Sequence, residues 1–407
     1  MTDTNEFSFP VAAVRETGLS RRDLLRGIGA GGAAVAGGSL LAACGNDSGS
    51  SSGDTSGDTS TDMSDADKVL NFANWQLYID QKRGVDGEKS YPTIEGFEAE
   101  TGIDVNYTEP INDNESYFAQ IRPRLLAGSD IGQDAIVMTD FMAARLIQLG
   151  FVQTLDKSNI PNAKNITEKL QHPSFDPERE YSIPWQSGVT GIAYDAGQVD
   201  PVNSVSDLLT NPELSGSMTV LTEMRDTMGL IMLDQGNDPE DFDVDAWNQA
   251  MSVLTEALDS NHIRQFTGNN YAQLLAKGDL KACMAWSGDV IQLQFDNPDI
   301  VFVVPDAGAI LWSDNMLVPN QAQHKKNAEL WMNYYYEPKV AAQLAAWVNY
   351  ICPVAGAKEE MEKLDPDLAN NPLIFPSDED YAKLSIFRAL TDAENQQFTQ
   401  EFQALYA

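Results

Sequence analysis

The chain is organised around one run of residues, Ile310-Leu311-Trp312-Ser313-Asp314-Asn315-Met316. If these residues form a β-strand, Trp312 and Asp314 point to the same side of it, because side chains alternate along a strand. An indole face beside a carboxylate is a receptor for an organic cation. On this stretch alone, the alternative is a tryptophan in the core with an aspartate at a strand end.

The composition of the 407-residue chain limits what it binds. It has 61 acidic and 26 basic residues, a net charge of -35. Nucleic acid and anionic membrane surfaces repel such a chain, so we expect neither as a partner. Three cysteines provide no disulfide framework, and the three scattered histidines lack the spacing of a metal site. We therefore expect neither a metal nor a cofactor.

The N-terminal residues 1–43 are predicted to be an export signal outside the fold. Residues 20–26, Ser-Arg-Arg-Asp-Leu-Leu-Arg, resemble a twin-arginine signal, and Leu41-Ala42-Ala43-Cys44 resembles the lipobox of bacterial lipoproteins. Cys44 would then carry a diacylglycerol anchor. A single-pass membrane anchor is the alternative, which the short, glycine-rich apolar run disfavours. Residues 44–67, rich in Ser, Gly, Asp and Thr, predict a flexible tether.

From Val69 onwards, strand-like and helical patterns alternate, which is typical of an α/β fold. Strands are predicted at residues 69–73, 105–108, 134–138, 218–221, 282–286 and 300–304, with extended segments at 181–184 and 188–194. Helices are predicted at residues 93–100, 115–126, 139–149, 225–233, 244–259, 325–336 and 338–347. Two such series predict two lobes, one of residues 68–193 plus 315–357 and one of residues 194–314 plus 358–407.

Aromatic residues recur at the ends of the predicted strands, where α/β sheets bind ligands. They are Trp75, Tyr78, Phe141, Trp286 and Trp312, with Tyr350 in a turn after a helix. Of the common motifs of catalysis, His-Glu-x-x-His and the Walker loop are missing from the sequence. Strings that match Gly-x-Gly-x-x-Gly (residues 27–32) and Gly-x-Ser-x-Gly (residues 49–53) occur only in the predicted export signal and tether, outside the predicted strand–helix units that these motifs require. We therefore predict a binding protein rather than an enzyme. A nucleophile–His–acid set assembled from distant residues is the enzyme alternative.

An ordered series of segments between about residues 68 and 365 resembles the spermidine/putrescine-binding proteins of ABC importers, a branch of the bacterial periplasmic binding proteins. The segments are residues 70–75 with Tyr78, then 97–105, 181–185, 188–192, 224–230, 284–289 and 312–316. The resemblance implies two lobes, each a mixed sheet flanked by helices, with the ligand in the cleft between them. It also implies a lipid-anchored extracellular protein that captures a polyamine for import.

The resemblance implies a role for each candidate ligand-binding residue. The aromatic positions, which enclose the ligand's methylene chain, are Trp75, Tyr78, Trp286, Trp312 and Tyr350. The carboxylates that hold its ammonium groups are Asp314, Asp226 and Glu223, and Thr139 is a polar contact. Phe141 stands where the family often has tyrosine, and Gln76 replaces a small hydroxyl residue. These departures bear on which polyamine is preferred. Asp226 has the alternative of pairing with Arg225 or capping its helix.

The resemblance also implies the partners: a polyamine, the permease subunits of an ABC importer, and a membrane reached only through the lipid anchor. We expect a monomer on the extracytoplasmic side. The alternatives are another organic cation or a sugar on the same scaffold, an anchored enzyme, or a sensor. Cys283 and Cys352 both lie near proposed pocket segments, as a disulfide or as buried free thiols.

Overall fold

The computed structural model describes residues 61–83 and 88–406. The predicted export signal and Cys44 lie outside these residues. The first group of elements comprises β1 (Val69–Trp75), β2 (Lys82–Arg83), β3 (Lys89–Ser90), α1 (Pro92–Thr101), β4 (Asp104–Ile111), α2 (Asn114–Leu126), β5 (Ala135–Thr139), α3 (Asp140–Gln148) and β6 (Ser182–Asp195).

The second group follows the same alternating pattern. It comprises α4 (Val205–Thr210), β7 (Met218–Leu221), α5 (Met224–Asp234), α6 (Val244–Asp259), β8 (Ile263–Thr267), α7 (Tyr271–Ala276), β9 (Ala282–Trp286), α8 (Ser287–Gln294), β10 (Ile300–Val303) and β11 (Ala309–Leu317). The C-terminal part contains α9 (Lys325–Tyr335), α10 (Pro338–Val348), α11 (Ala357–Leu364), α12 (Pro366–Ala369), α13 (Asp378–Tyr381), β12 (Leu384–Ser385) and α14 (Asp392–Gln403).

The main sheet has the strand order β4-β1-β5-β11-β6-β9-β7-β8. At one end, β1 is parallel to β4 and to β5, and at the other end β7 is parallel to β8 and to β9. The two central strands, β6 and β11, run antiparallel to each other and to their outer neighbours β9 and β5. Helices pack against strands in both halves of the sheet, so the predicted α/β class is confirmed.

The pairing of β6 and β11 sets where the two halves of the sheet meet. Thr139, the last residue of β5, lies opposite Asp314, which pairs with Gln186 of β6. Trp286, the last residue of β9, pairs with Thr190, four residues further along β6. The carboxyl ends of β5 and β9 therefore approach the same short segment from opposite directions, about 13 Å apart along β6. A ligand site at strand ends is expected here.

The two extended segments predicted around residues 181–194 form one continuous strand, β6, which is buried along its whole length. The strand contains Pro184, which lacks a backbone donor. The register with β11 shifts at this point, because Asp314 pairs with Gln186 while Asn315 pairs with Pro184. Proline is tolerated at such a bulge, where the ladder is already interrupted.

The last residues of the predicted tether contact the N-terminus of α9. The ammonium group of Lys326 lies 2.8 Å from a carboxylate oxygen of Asp65. The side-chain amide of Asn327 donates to the backbone carbonyls of Asp67 and Val69, at 3.1 and 2.8 Å. Residues 65–67 are thus attached to the folded body beside the start of β1.

The C-terminal helix α14 packs on the second group of elements. The ring of Phe398 stacks on Trp247 of α6 with 4.1 Å between centroids, and Phe402 contacts Phe266 of β8 edge-on at 5.5 Å. The indole N–H of Trp247 donates to Glu401 at 2.7 Å. Burying two phenylalanines stabilises this attachment by roughly 3–6 kcal/mol. The end of the chain therefore belongs structurally with α6 and β8.

Candidate functional site

A cavity lies where the strand ends converge on β6 and β11. Its volume is about 80 Å³. All ten predicted ligand-binding residues line it: Trp75, Tyr78, Thr139, Phe141, Glu223, Asp226, Trp286, Trp312, Asp314 and Tyr350. Trp312 and Asp314 lie on the same strand and both face the cavity, as the alternation of side chains predicts.

Asp314 is held by two hydroxyl groups. Thr139 Oγ1 donates to one carboxylate oxygen at 2.7 Å, and the phenol of Tyr78 donates to the other at 2.9 Å. Only 3% of Asp314 is exposed. Burial raises the pKa of its carboxyl to about 7, although both hydrogen bonds lower it. The group is therefore oriented and costly to ionise without a positive charge beside it.

Glu223 reaches the first group of elements across the cavity. Its carboxylate accepts from the backbone N–H and the side-chain amide of Asn114, at 2.9 and 3.0 Å. The same amide group donates to Thr139 Oγ1 at 2.9 Å, which links Glu223 to Asp314 through two side chains. Burial, followed by the charge of Asp113, raises the pKa of Glu223 to about 8.

Asp226 and two tryptophans form the opposite side. The indole N–H of Trp286 donates to Asp226 at 2.8 Å, and that of Trp312 donates to Thr190 Oγ1 at 3.0 Å. Burial raises the pKa of Asp226 to about 6, with the Trp286 bond opposing the shift. These contacts fix the planes of both rings. The predicted alternative, in which Asp226 serves only as a partner of Arg225 or as a helix cap, gives no role to the hydrogen bond from Trp286 to Asp226.

Asp289 is a further carboxylate in the cavity that the sequence reasoning did not select. The phenols of Tyr350 and Tyr271 donate to its two oxygens at 2.7 and 2.8 Å, and Asn269 donates at 3.2 Å. Burial raises its pKa. Its place three residues after Trp286, in the first turn of α8, is the sequence feature that could have identified it.

The aromatic rings form a continuous lining. Trp286 meets Trp75 and Trp312 edge-on at 6.3 and 6.4 Å between centroids. Trp312 contacts Tyr350 at 5.5 Å, and Tyr350 contacts Tyr78 at 5.1 Å. Methylene groups placed among these rings would leave water, and ammonium groups would meet ring faces.

Two glycines make room for this lining. A Cβ atom on Gly188 would lie 2.3 Å from Cζ2 of Trp312, and one on Gly288 would lie 2.5 Å from the Tyr350 ring. Real Cβ atoms do not approach other atoms so closely, so each ring depends on a missing side chain. Gly188 is the residue of β6 that pairs with Trp312.

Phe141 lines the cavity, but one face of its ring is already covered. The guanidinium carbon of Arg225 lies 3.7 Å from the ring centroid, a cation–π contact within the protein. Burial lowers the pKa of Arg225 to about 10, so it stays charged at neutral pH. Gln76 lies at the cavity and is exposed.

Several other cavity residues were also not predicted. They are Asn114, Asp140, Arg225, Asn269, Ile310, Leu311, Ile386 and Phe387. Asp140 begins α3, accepts from Asn315 at 2.7 Å, and has its pKa raised to about 6 by burial. Cys283 and Cys352 are buried and free, so the disulfide alternative is wrong.

The arrangement combines four buried carboxylates and the half-buried Asp140 with a cage of rings. Such a site suits an elongated organic cation. Burial favours the protonated form of each carboxyl group, and a positive charge of the ligand beside it would favour the ionised form instead. Within residues 61–83 and 88–406, no group of three or more His, Cys, Asp or Glu residues is placed to hold a metal ion. The same residues include no helix of the length and apolar character needed to cross a membrane.

The architecture is that of the two-lobed periplasmic substrate-binding proteins. A solved structure described as a putative spermidine/putrescine ABC transporter from Listeria monocytogenes has a TM-score of 0.72 and is 25% identical. The match covers 83% of this chain and 98% of that one. The predicted fold is thereby confirmed.

The sequence model of the family described as "Bacterial extracellular solute-binding protein" matches residues 93–376, and the chain belongs to this family. It is 27% identical over 323 residues to the spermidine/putrescine-binding periplasmic protein of Escherichia coli, covering 78% of this chain and 85% of the relative. It is 29% identical over 338 residues to the putrescine-binding periplasmic protein PotF of the same organism, with the same coverage. Membership makes the chain a binding protein and not an enzyme, as predicted.

Proposed function

We propose that this protein captures a polyamine outside the cytoplasm and delivers it to an ABC importer. The observation that carries the proposal is the set of buried carboxylates around a cavity lined by aromatic rings. A diammonium ligand would neutralise two of these groups while its methylene chain packs among the rings. Micromolar binding needs a net free energy of about -8 kcal/mol. Two paired charges and several ring contacts of about 0.5–2 kcal/mol each supply that after the cost of association.

The relatives support this choice of ligand. Two of them are named for binding spermidine or putrescine, and they match over most of their own length. Asp314, Asp226 and Glu223 are the proposed ammonium-binding residues, and Trp75, Tyr78, Trp286, Trp312 and Tyr350 are the proposed stacking residues. Thr139 and Phe141 complete the proposed contacts. A neutral sugar would use the rings but would leave the buried carboxylates without a counter-charge.

Calorimetric titration of the purified chain, freed of bound ligand, with putrescine, spermidine and spermine tests the proposal. At least one of them should bind, and Asp314→Ala should weaken that binding by about 30-fold or more, because a buried charge loses its partner. Asp306→Ala is the control, since Asp306 is exposed and lies in the turn before β11. A ligand-free wild-type chain that binds none of the three amines would refute the proposal.

The proposed lobes are residues 68–193 plus 315–357 and residues 194–314 plus 358–407. The packing of α14 on α6 and β8 supports the assignment of the C-terminus to the second lobe. Under this proposal the cavity is the cleft between the lobes, and the monomer closes over its ligand before docking on the permease subunits.

The proposed attachment to the membrane is a lipid on Cys44, with residues after it as the tether. The sequence Leu41-Ala42-Ala43-Cys44 supports this attachment. Fractionation of cells that express Cys44→Ser should move the protein from the membrane to the soluble fraction. Cys352→Ser is the control, because Cys352 is buried in the fold.

A further inference from the structure

The segment after β12 forms part of the cavity wall. Leu384 and Ser385 pair in parallel with Ala309 and Ile310 of β11. The next residue, Ile386, therefore continues in line with Leu311, immediately before Trp312. Ile386 and Phe387 both line the cavity. The family match ends at residue 376, so this part of the wall lies beyond the matched residues.

Phe387 is held firmly in this position. Its ring contacts Phe242 at 5.0 Å between centroids. A Cβ atom added to Gly229 of α5 would lie 3.3 Å from the Phe387 ring and 2.7 Å from Ile310. The missing side chain of Gly229 thus lets the C-terminal segment approach α5 closely.

Arg225 stands on the same face of α5, four residues before Gly229. Its Nη2 donates to Asn395 of α14 at 2.8 Å, and its guanidinium carbon covers Phe141 at 3.7 Å. The C-terminal helix therefore fixes a positive charge at this side of the cavity. The charge occupies one face of the Phe141 ring. We call Ile386, Phe387 and Arg225 the C-terminal wall.

The side chains of the C-terminal wall offer an ammonium group no carboxylate and no hydrogen-bond acceptor, and the ring of Phe387 is the one attractive group among them. Isoleucine and phenylalanine side chains have no acceptor, and a guanidinium group only donates. The hydrogen-bond donors that hold the cavity carboxylates are not residues of the wall. The carboxylates are Asp314, Glu223, Asp226 and Asp289. An amine placed against the wall would lose water, gain no acceptor and be repelled by Arg225.

We infer that the C-terminal wall limits the length of the ligand. The site accepts a diamine whose two charges reach the carboxylates, and it selects against a triamine whose third charge must face the wall. This inference rests on the proposed function and adds a preference among polyamines.

Titrations of the full chain, freed of bound ligand, with putrescine and spermidine test the inference. Putrescine should bind the wild-type chain about tenfold or more tightly than spermidine, because the third amine loses hydration without a partner. Ile386→Glu places a carboxylate on the wall and should reduce this preference by about tenfold. Ile386 is 52% exposed, so the substitution leaves the core intact.

Leu364→Glu is the matched control, since Leu364 is 55% exposed, lies on α11 and does not line the cavity. It should leave the ratio of the two affinities unchanged. Wild-type protein that binds spermidine as tightly as putrescine, or an unchanged ratio in Ile386→Glu, would overturn the inference while the proposed function stands. Binding of neither amine would overturn the proposed function and this inference together.

Discussion

Tyr78 and Thr139 orient Asp314 before any ligand arrives. Each donates to a different carboxylate oxygen, so the side chain has one favoured position. The cost is that an ionised Asp314 is buried without a positive partner. Two neutral hydroxyl donors offset only part of that cost, which is why the pKa of the carboxyl rises to about 7.

Stability of the ligand-free protein should depend on this group. The folded pKa of Asp314, about 7, lies above its ordinary value of 3.8, so its contribution is present at low pH and is lost as the pH rises towards 7. Asp314→Asn removes the titration. We expect this substitution to raise the free energy of unfolding by about 2–4 kcal/mol at pH 8 and to leave the free energy of unfolding nearly unchanged at pH 4.

Chemical unfolding at the two pH values checks this expectation. Asp306→Asn serves as the comparison, because Asp306 is exposed and does not line the cavity. An Asp314→Asn variant with the same advantage at both pH values would show that ionisation of Asp314 is not the cause.

The sequence allowed Asp314, Trp312 and the other main residues of the cavity to be chosen, because each stands in a recognisable local segment. Asn114 was missed for a physical reason. Asn114 matters through bonds to Glu223 and Thr139, which are 109 and 25 residues away. Those distances become contacts only after the strands pair, and no local pattern records them.

At the scale of elements, the central strand β6 depends on Gly188. An alanine there would place a Cβ 2.3 Å from Trp312, so the indole must move. We expect Gly188→Ala to lower stability by about 1–3 kcal/mol and to weaken ligand binding, because the ring lining is disturbed. Thermal unfolding and calorimetry measure the two effects.

Gly197→Ala is a suitable control, because the nearest atom to its added Cβ is a side-chain oxygen of Asp195 at 3.1 Å. It lies outside the cavity lining and should leave affinity unchanged. If Gly188→Ala bound ligand as well as wild type, the close fit of Trp312 against β6 would not matter for binding.

Elements with strong patterns were predicted accurately. The bounds of β7, β9 and α6 agree with those predicted, because their apolar runs and helical period are unambiguous. β8 was missed because Ile263–Thr267 exposes its central residues at the edge of the sheet. The sequence Arg-Gln there lacks the alternation that marks a half-buried strand.

At the scale of the whole molecule, contacts across the cavity join the two groups of elements. Asn114 bonds to Glu223, Trp75 meets Trp286, and Phe141 meets Arg225. Without a ligand, ionised carboxylates on both sides of the cavity repel one another at neutral pH and above. A dication would reverse that repulsion.

The ligand-free chain at pH 8 should therefore be more open than the chain with putrescine. Small-angle X-ray scattering should record a smaller radius of gyration when the amine is added. Asp314→Asn, which is expected to bind poorly, should show little change at the same concentration. An equal radius with and without bound amine in the wild-type chain would contradict closure.

The two long strands β6 and β11 continue through the sheet from one half to the other, and they stay hydrogen-bonded to each other over residues 310–317. A pair of laddered strands flexes far more easily out of the plane of its hydrogen bonds than within it. We therefore expect the two halves to move relative to each other mainly by bending of this strand pair out of that plane. The register shift between Asp314 and Asn315 interrupts the ladder, so we expect bending to concentrate there, next to the carboxylate proposed to bind the ligand.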